Sequence, residues 1–373
     1  MCTIEIVQNR GIGDLIFALG FVSAYNKKFP DDTMLWNVPN KYHALLKYFG
    51  QNIINPRLKP NKTIDLNKNI ATKNFTLHEI ERYLKAHSKY DLKIEDVEYP
   101  GLNLHSNKKS ILISLAANIP TRRWITENYI KLANNLIDKK FQVTIIGGSD
   151  VFEMAQVIAK ASTANNLVGK LKLLDTTKLI AESEYIIAND TGLAHIAAAV
   201  GTPLFVMSFN KVQNNFRWMP WSDEILAIRG HFNCNKVCHS SECTLDHCRK
   251  ALTYEKVWTE LIDFFKGKRN GKNKKELIKD NIFFLFTEKT LLYNNLLSNS
   301  YCVSLYNSKE GLTKQIIRDN INIIVNPRIN KTLLTLKLLY ASNFVSEYPL
   351  IYKTTTTNIN QFIEEFLVWI KKQ

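Results

Sequence analysis

The segment 189–203, which reads NDTGLAHIAAAVGTP, combines residue types that could bind an anion. The apolar run before it, 185–188, has the length and composition of a buried parallel strand. The turn supplies three candidate ligand-binding residues, Asp190, Thr191 and Gly192. Free N–H groups at a helix N-terminus, with a glycine that admits a ligand closely, suit a phosphate or diphosphate. His195, one turn into the helix, could donate another hydrogen bond to the same anion. The alternative is an ordinary strand-to-helix turn that Asp190 caps.

The chain contains two successive series of alternating strands and helices, and these predict which elements position the turn. The first series starts with a strand at 4–7 and a helix at 15–28; the second starts with a strand at 111–115. This pattern is typical of an α/β protein with two Rossmann-like, doubly wound domains that face a cleft, with ligands at the carboxyl ends of the strands. The predicted segments are domains at 1–106 and 107–266, a basic linker at 267–275, and an α/β-like C-terminal extension at 276–373, which carries no chemical motif.

A helix is also predicted from an apolar stripe at 77–84, with Thr76 as its capping residue. Two histidines in and just after this stretch, His78 and His87, are interpreted as surface residues rather than ligands. The final helix of the chain is predicted at 359–371.

The composition is that of an ordinary soluble protein, with one exception. Of 373 residues, 45% are hydrophobic and 22% are charged, but the net charge is +15. Such a charge favours an anionic partner, and because no nucleic-acid-binding signature is present we interpret it as contact with a phosphorylated substrate or an anionic membrane surface. No apolar run approaches a membrane span, and the N-terminus does not read as a signal peptide. We therefore predict a cytoplasmic protein, with peripheral contact at the inner face of the membrane.

Four of the six cysteines are clustered, with three histidines interleaved. Their density favours a structural zinc or iron site, although the spacing is not the tight pair of a typical zinc site. The alternative is a set of reduced cysteines that pack a loop. The candidate ligands are Cys234, Cys238, Cys243 and Cys248.

Four motifs resemble glycosyltransferase family 9, the heptosyltransferases of lipopolysaccharide core assembly. They are the glycine-Asp loop Gly11–Asp14 after the first strand, the segment Arg123-Trp124-Ile125 with Glu127, the turn Asp190–Gly192 with His195 and Gly201-Thr202-Pro203, and the cysteine-rich loop followed by a helix to Phe265. The resemblance covers residues 1–266. It departs from the family at Arg123, where lysine is usual, and at Ile125, where proline is frequent. The segment between the first strand and the second domain is also shorter than is usual in the family, and this is the half of the protein that normally binds the sugar acceptor.

The resemblance implies a GT-B fold, an ADP-heptose donor, and an inverting transfer that needs no metal or other cofactor. The acceptor would be a lipopolysaccharide-core or other lipid-linked glycan, bound by the first domain. In an inverting displacement a carboxylate must take the acceptor's proton, and Asp14 is the candidate; the alternative is that Asp14 caps its helix. Arg123 and His195 would stabilise the departing diphosphate. Further candidate donor-binding residues are Gly13, Gly148 and Glu153.

The sequence leaves two alternative functions open. The same fold could use another nucleotide sugar or a protein acceptor, because specificity resides in loops. Alternatively, the chain could be a catalytically degenerate nucleotide-sugar-binding scaffold.

Overall fold

The computed structural model describes residues 2–55, 57–67, 78–102, 104, 107–117, 120–209, 218–229 and 247–269, together with six backbone strands between 282 and 354. Two parallel sheets belong to one compact unit, and the six C-terminal strands belong to a second. Among the described residues, no helix combines the length and the apolar character needed to cross a bilayer.

The first sheet has four strands: β1 (Thr3–Val7), β2 (Thr33–Asn37), β3 (Asn52–Ile53) and β4 (Lys62–Asp65). All are parallel, in the order β3-β2-β1-β4. The chain order reverses between β1 and β4, and the crevice at such a point is where ligands bind in open α/β sheets.

Three helices pack with this sheet: α1 (Ile12–Lys28), α2 (His43–Tyr48) and α3 (Glu79–Ala86). Ten residues of α1 between Leu15 and Tyr25 are buried. A helix that is apolar on most sides must be enclosed, and α1 is enclosed because α3 and the second sheet's helix α7 (Gly192–Val200) both contact it.

The second sheet has six strands: β5 (Asn107–Ser114), β6 (Gln142–Ile146), β7 (Asn165–Asn166), β8 (Ser183–Asn189), β9 (Leu204–Ser208) and β10 (Ile225–Arg229). All pair in parallel, in the order β10-β9-β8-β5-β6-β7. The order reverses between β5 and β8, so this sheet has its own switch point, at the strand that precedes α7.

Five more helices accompany the second sheet: α4 (Thr126–Asp138), α5 (Phe152–Ser162), α6 (Leu173–Glu182), α8 (His247–Ala251) and α9 (Tyr254–Phe265). One face of α4 is apolar and buried, and the Trp124 indole, also buried, donates to the Leu252 carbonyl oxygen at 2.6 Å. Trp124 is thus part of the core of this domain.

The six C-terminal strands form one mixed sheet. They are β11 (Ile282–Leu285), β12 (Cys302–Ser308), β13 (Gly311–Arg318), β14 (Ile321–Ile324), β15 (Leu334–Leu339) and β16 (Leu350–Thr354), in the order β12-β13-β14-β11-β15-β16. Of the pairings between these strands, only β11 with β14 is parallel. The helix predicted at 359–371 lies outside the described residues.

Candidate active site

The loop that leads into α1 is fixed at the switch point of the first sheet. The Asn9 N–H donates to Oδ1 of Asn67 at 2.7 Å, and Nη2 of Arg10 donates to the Asn67 carbonyl oxygen at 2.8 Å. Asn67 follows β4, so both loops at the reversal are tied to each other. This loop places Asp14 at the carboxyl edge of the sheet, as its position after the first strand predicts.

Asp14 lies in the first turn of α1 rather than at its cap. The N-cap residue is Gly11, and the Asp14 carboxylate accepts hydrogen bonds from the backbone N–H groups of Gly11 and of Asp14 itself. The interpretation of Asp14 as the N-cap is therefore wrong, because the helix starts at Ile12, three residues before the predicted start. The side chain remains 21% exposed, so it can still meet a substrate.

The charge environment of Asp14 favours a basic carboxylate. Burial has the largest effect and raises the pKa of the Asp14 carboxyl. Arg10, whose Nη1 lies 3.7 Å from Oδ1 of Asp14, opposes this rise, whereas the Glu79 carboxylate adds to it. A carboxylate with a raised pKa is a better proton acceptor, which suits a general base.

The turn before α7 has the features of an anion site. Thr191, not Asp190, is the N-cap, so the capping role considered for Asp190 is wrong; the Asp190 N–H instead donates to the Met207 carbonyl oxygen at 3.2 Å. Oγ1 of Thr191 is buried without a hydrogen-bond partner among the described residues. The first N–H groups of a helix have no acceptor within it, so the turn offers N–H donors to a ligand at the switch point of the second sheet.

The last residues of the two neighbouring strands are serines with buried hydroxyl groups. Ser114 closes β5 and Ser208 closes β9, and Oγ of each lacks a partner in the part of the chain that the structure describes. Buried polar groups are normally satisfied, so these two hydroxyls are candidate contacts for a ligand or water. These serines were not predicted from the sequence, because a serine at a strand end carries no signal of its own.

Asn189 joins the two strands at this switch point. Its Nδ2 donates to the carbonyl oxygens of Leu115 and Ala116 at 3.2 and 3.3 Å, and its Oδ1 accepts from the Tyr129 hydroxyl at 2.9 Å. Asn189 is fully enclosed and therefore fixes the turn that follows it. Its role was also missed in the sequence.

The loop that contains Gly13 and the turn that contains Gly192 pack against each other. A Cβ on Gly192 would lie 3.0 Å from Cβ of Ile12, and a Cβ on Gly13 would lie 3.0 Å from Cδ2 of His195. The N-termini of α1 and α7 thus interlock, each with one glycine and one larger side chain. This packing alone explains why both positions are glycine, and no ligand is needed to explain it. Contact of Gly13 or Gly192 with the nucleotide-sugar donor stays a prediction.

His195 is enclosed at this contact. Its ring packs edge-on against Phe17, with centroids 4.7 Å apart, and its Nδ1 has no partner among the described residues. Burial, with a smaller effect from His78, lowers the pKa of His195 to about 3. The imidazole is therefore neutral at physiological pH, and it could donate to an anion only through a single N–H.

His78 was predicted to be exposed, and this prediction is wrong. It is completely buried, packs on Phe17 and Trp221 at 5.0 and 4.8 Å, and its Nε2 lies 2.8 Å from the Met219 carbonyl oxygen. His78, not Thr76, is the N-cap of α3: its Nδ1 accepts from the Ile80 N–H. Thr76 lies outside the described residues. The error arose because a tertiary contact 141 residues away decides the burial of His78.

Arg123 is held at the second sheet by an acidic partner. Its Nη2 lies 2.6 Å from Oδ2 of Asp150, and its Nε and Nη2 both donate to the Ala117 carbonyl oxygen. A Cβ on Gly148 would lie 2.7 Å from Oδ1 of Asp150, so glycine there leaves room for this carboxylate. The sequence singled out Arg123 but not Asp150.

The remaining predicted site residues are Glu153 and the four clustered cysteines. Glu153 is exposed in the first turn of α5. Three of the predicted metal ligands, Cys234, Cys238 and Cys243, lie outside the described residues; Cys248 belongs to α8, but its side chain is not described.

The sequence profile named glycosyltransferase family 9 (heptosyltransferase) matches residues 22–248, more than half of the chain. The chain belongs to glycosyltransferase family 9. The resemblance inferred from the motifs is thereby confirmed. The matched segment of this glycosyltransferase includes Arg123 and the turn with His195 but begins after Asp14.

Two curated relatives are heptosyltransferases. Lipopolysaccharide heptosyltransferase 2 of Escherichia coli is 35% identical over 94 residues, which are 24% of this chain and 27% of that protein. Lipopolysaccharide core heptosyltransferase OpsX of Haemophilus influenzae is 27% identical over 153 residues, 39% of this chain and 43% of that protein. The alignments thus span less than half the length of these relatives.

Solved structures show the same fold. The E. coli heptosyltransferase WaaC with ADP-2-deoxy-2-fluoro heptose has a TM-score of 0.55 at 13% identity and covers 70% of this chain and 99% of its own. The iron-containing dodecameric glycosyltransferase TibC of enterotoxigenic E. coli has a TM-score of 0.53 at 12% identity and covers 71% and 76%. The predicted fold class, α/β of the GT-B type, is confirmed.

Proposed function

We propose that this protein is an inverting, metal-independent glycosyltransferase that moves heptose from ADP-heptose to a lipopolysaccharide-core acceptor. Family membership supports transfer of a sugar, and the curated relatives support heptose and the lipopolysaccharide core. The solved relative that carries an ADP-heptose analogue supports the donor. The net charge of +15 suits the phosphorylated donor and an anionic acceptor.

The observation that carries this proposal is the unfilled polar edge of the second sheet. Thr191, Ser114 and Ser208 each bury a hydroxyl without a partner in the described part of the chain, beside the N-terminus of α7. Hydroxyl and N–H donors at a helix N-terminus would bind the donor diphosphate and stabilise the charge that develops as the sugar leaves. No metal is needed in this scheme.

The acceptor side is supplied by Asp14. Its carboxylate would take the proton of the acceptor hydroxyl while that oxygen attacks the anomeric carbon from the face opposite the diphosphate. The bond between this carbon and the diphosphate oxygen breaks, and its electron pair leaves with the diphosphate. One displacement of this kind inverts the anomeric configuration.

The first test measures which nucleotide sugar the protein binds. We expect ADP-heptose, but not UDP-, GDP- or CMP-sugars, to raise the thermal midpoint and to give a calorimetric signal. Transfer to heptose-deficient lipopolysaccharide in EDTA, with the anomeric configuration read by NMR, tests the chemistry. Selective binding of another nucleotide sugar would refute the heptose donor, and binding without transfer would favour a scaffold.

Arg123 is expected to contribute to donor binding despite its acidic partner. Replacing it in Arg123→Ala should weaken binding of ADP-heptose about tenfold or more, because charge-assisted hydrogen bonds contribute roughly 1.5–3 kcal/mol. The neighbouring Arg122→Ala is the matched control and should bind normally. Asp150→Ala distinguishes phosphate binding by Arg123 from a purely structural role of the Arg123–Asp150 pair. If the Arg123 guanidinium binds the phosphate, the variant should bind ADP-heptose as well as the wild type or better, because Asp150 no longer competes for it. Weaker binding would show that the pair only orders the loop.

The clustered cysteines are proposed to hold one structural metal ion. We expect about one equivalent of iron or zinc in the purified protein by plasma mass spectrometry, and loss of it when Cys234, Cys238, Cys243 and Cys248 are replaced by serine. The iron content of TibC supports iron as one of the two metals. Cys2→Ser is the control and should retain the metal; metal-free wild-type protein would contradict the proposal.

A further inference from the structure

Asn189, a buried polar residue that the proposed mechanism does not use, connects the ends of two strands of the second sheet. It is the last residue of β8 and is only 1% exposed. Ser114, the last residue of β5, pairs with Ala188, so Asn189 lies just beyond the end of this pairing. Nδ2 of Asn189 donates to the carbonyl oxygens of Leu115 and Ala116, which follow β5 directly. The amide therefore joins the two strands between which the strand order reverses.

The orientation of the Asn189 amide follows from its neighbours. A carbonyl oxygen only accepts hydrogen bonds, so the amide nitrogen must face Leu115 and Ala116, and Oδ1 must face away from them. There Oδ1 accepts from the Tyr129 hydroxyl at 2.9 Å. Tyr129, on α4, is fully buried, and its ring packs edge-on against Trp124 with centroids 5.3 Å apart. Tyr129 therefore holds the amide in this orientation.

The two segments that Asn189 joins carry hydroxyls that are proposed to bind the donor diphosphate. Thr191, the N-cap of α7, is two residues after Asn189, and Ser114 immediately precedes the first of the two carbonyls. Both hydroxyls are buried and have no partner among the described residues. The Asn189 amide thus fixes the backbone beside each of these hydroxyls.

Arg123 is connected to the same segment. Its Nε and Nη2 donate to the carbonyl oxygen of Ala117 at 3.1 and 2.8 Å. Ala117 directly follows the two residues whose carbonyls accept from Asn189, so side-chain donors bind all three carbonyls of 115–117. A shift of this segment would therefore move Arg123 as well as Ser114.

Packing alone does not require a polar pair at this position. The three residues before Asn189 are apolar and buried, and an apolar side chain could fill the same space without needing hydrogen-bond partners. A buried network in which each polar group has a partner fixes one arrangement of the backbone, whereas an apolar contact is not directional. Tyr129 and Asn189 are thus suited to positioning other groups.

We propose that Tyr129 and Asn189 are positioning residues for the donor diphosphate: their hydrogen bond holds the segments 115–117 and 190–192 in place before the donor binds. This role rests on the proposed function. Neither residue needs to touch the diphosphate. Because the site is ordered in the free protein, binding does not have to include the free-energy cost of ordering it.

Tyr129→Phe removes only the hydroxyl and leaves Oδ1 of Asn189 buried without its donor. We expect the peptides that cover 114–117 and 190–193 to exchange their backbone hydrogens faster in the ligand-free variant, as measured by mass spectrometry. The Kd for ADP-heptose should rise about fivefold or more, because the segments must then be ordered on binding. ADP should lose affinity by the same factor, because it has the same diphosphate.

The matched control is a second buried tyrosine that loses the same atom. Tyr25, on α1, is 1% exposed, and its hydroxyl donates to Oδ2 of Asp32 at 3.1 Å. Tyr25→Phe also removes one hydrogen bond, so its thermal midpoint should fall by a similar amount. It should keep the wild-type Kd for ADP-heptose and the wild-type exchange rates at 114–117 and 190–193.

Asn189→Ala tests the same role without a change at Tyr129. It removes the donor to both carbonyls as well as the acceptor of the Tyr129 hydroxyl, so the loss of affinity should be larger than in Tyr129→Phe. Weaker binding of ADP-heptose and ADP in either variant, together with faster exchange confined to the two segments and absent from Tyr25→Phe, supports the proposal.

Three outcomes oppose the positioning role. If Tyr129→Phe is less stable but binds ADP-heptose and ADP like the wild type, the hydrogen bond is only structural; transfer by the wild type would then leave the proposed function standing. An equal loss of affinity in Tyr25→Phe would also overturn the role, because it would follow from stability alone. A wild type that neither binds nor transfers a nucleotide sugar would overturn the proposed function, and the positioning role with it.

Discussion

Asp14→Asn should abolish sugar transfer and leave donor binding intact. The asparagine keeps the size of the side chain but cannot take the acceptor proton, so kcat should fall by roughly 10²–10⁴-fold. Asp14 lies on α1, whereas the proposed diphosphate site is at the N-terminus of α7, so the affinity for ADP-heptose should stay within about twofold of the wild type. Steady-state kinetics and calorimetry measure the two quantities.

The control for this substitution is Asp31→Asn, an exposed carboxylate of the same domain. It should retain wild-type kinetics. Since burial opposes the charge of Asp14, the thermal midpoint of Asp14→Asn should not fall by more than a few degrees. An Asp14→Asn protein that folds and transfers at the wild-type rate would refute the assignment of the base.

Gly192→Val should destabilise the protein and inactivate it. The space next to the Gly192 Cα is filled by Ile12, with 3.0 Å between an added Cβ and the Ile12 Cβ, and both positions are at helix N-termini where the backbone is fixed. Overpacking of this kind costs about 1–3 kcal/mol, and it would also separate α1 and its Asp14 from α7. Chemical denaturation measures the free energy of unfolding.

A compensating change distinguishes packing from ligand approach. Ile12→Ala vacates the space, so the double variant Gly192→Val/Ile12→Ala should be destabilised by much less than the sum of the two single changes. Leu193→Val, on the next residue, serves as the control for a similar side-chain change at the start of α7. If Gly192→Val keeps wild-type stability and loses only donor binding, glycine is required there for the ligand and the packing explanation fails.

Much of the fold could be predicted because its determinants are local. The alternation of apolar strands with helices predicted two doubly wound parallel sheets, and both are present. The strand at 185–188 was predicted to within two residues of β8, since a buried apolar strand is visible in a short window. The start of α1 was missed by three residues because a Gly-Ile-Gly sequence gives no clear helix-start signal.

The candidate site was predicted less completely. The turn at Thr191 was proposed because it follows directly after a strand, and the carboxyl ends of parallel strands are where ligands bind. Asp14 was proposed through the family resemblance of the loop that follows the first strand. Asp150 was not found, because its ion pair with Arg123 joins residues 27 positions apart through folded geometry. The buried hydroxyls of Ser114 and Ser208 were missed for the same reason.

The sequence by itself therefore determined the fold class, the family and the position of the proposed anion-binding turn, because hydrophobic periodicity and helix-terminal residues act over short distances along the chain. The tertiary structure decided which side chains meet: Gly192 against Ile12, His78 against Trp221, and Gln8 with Tyr83. These contacts join residues 75 to 180 positions apart, and they depend on how the two sheets and their helices pack.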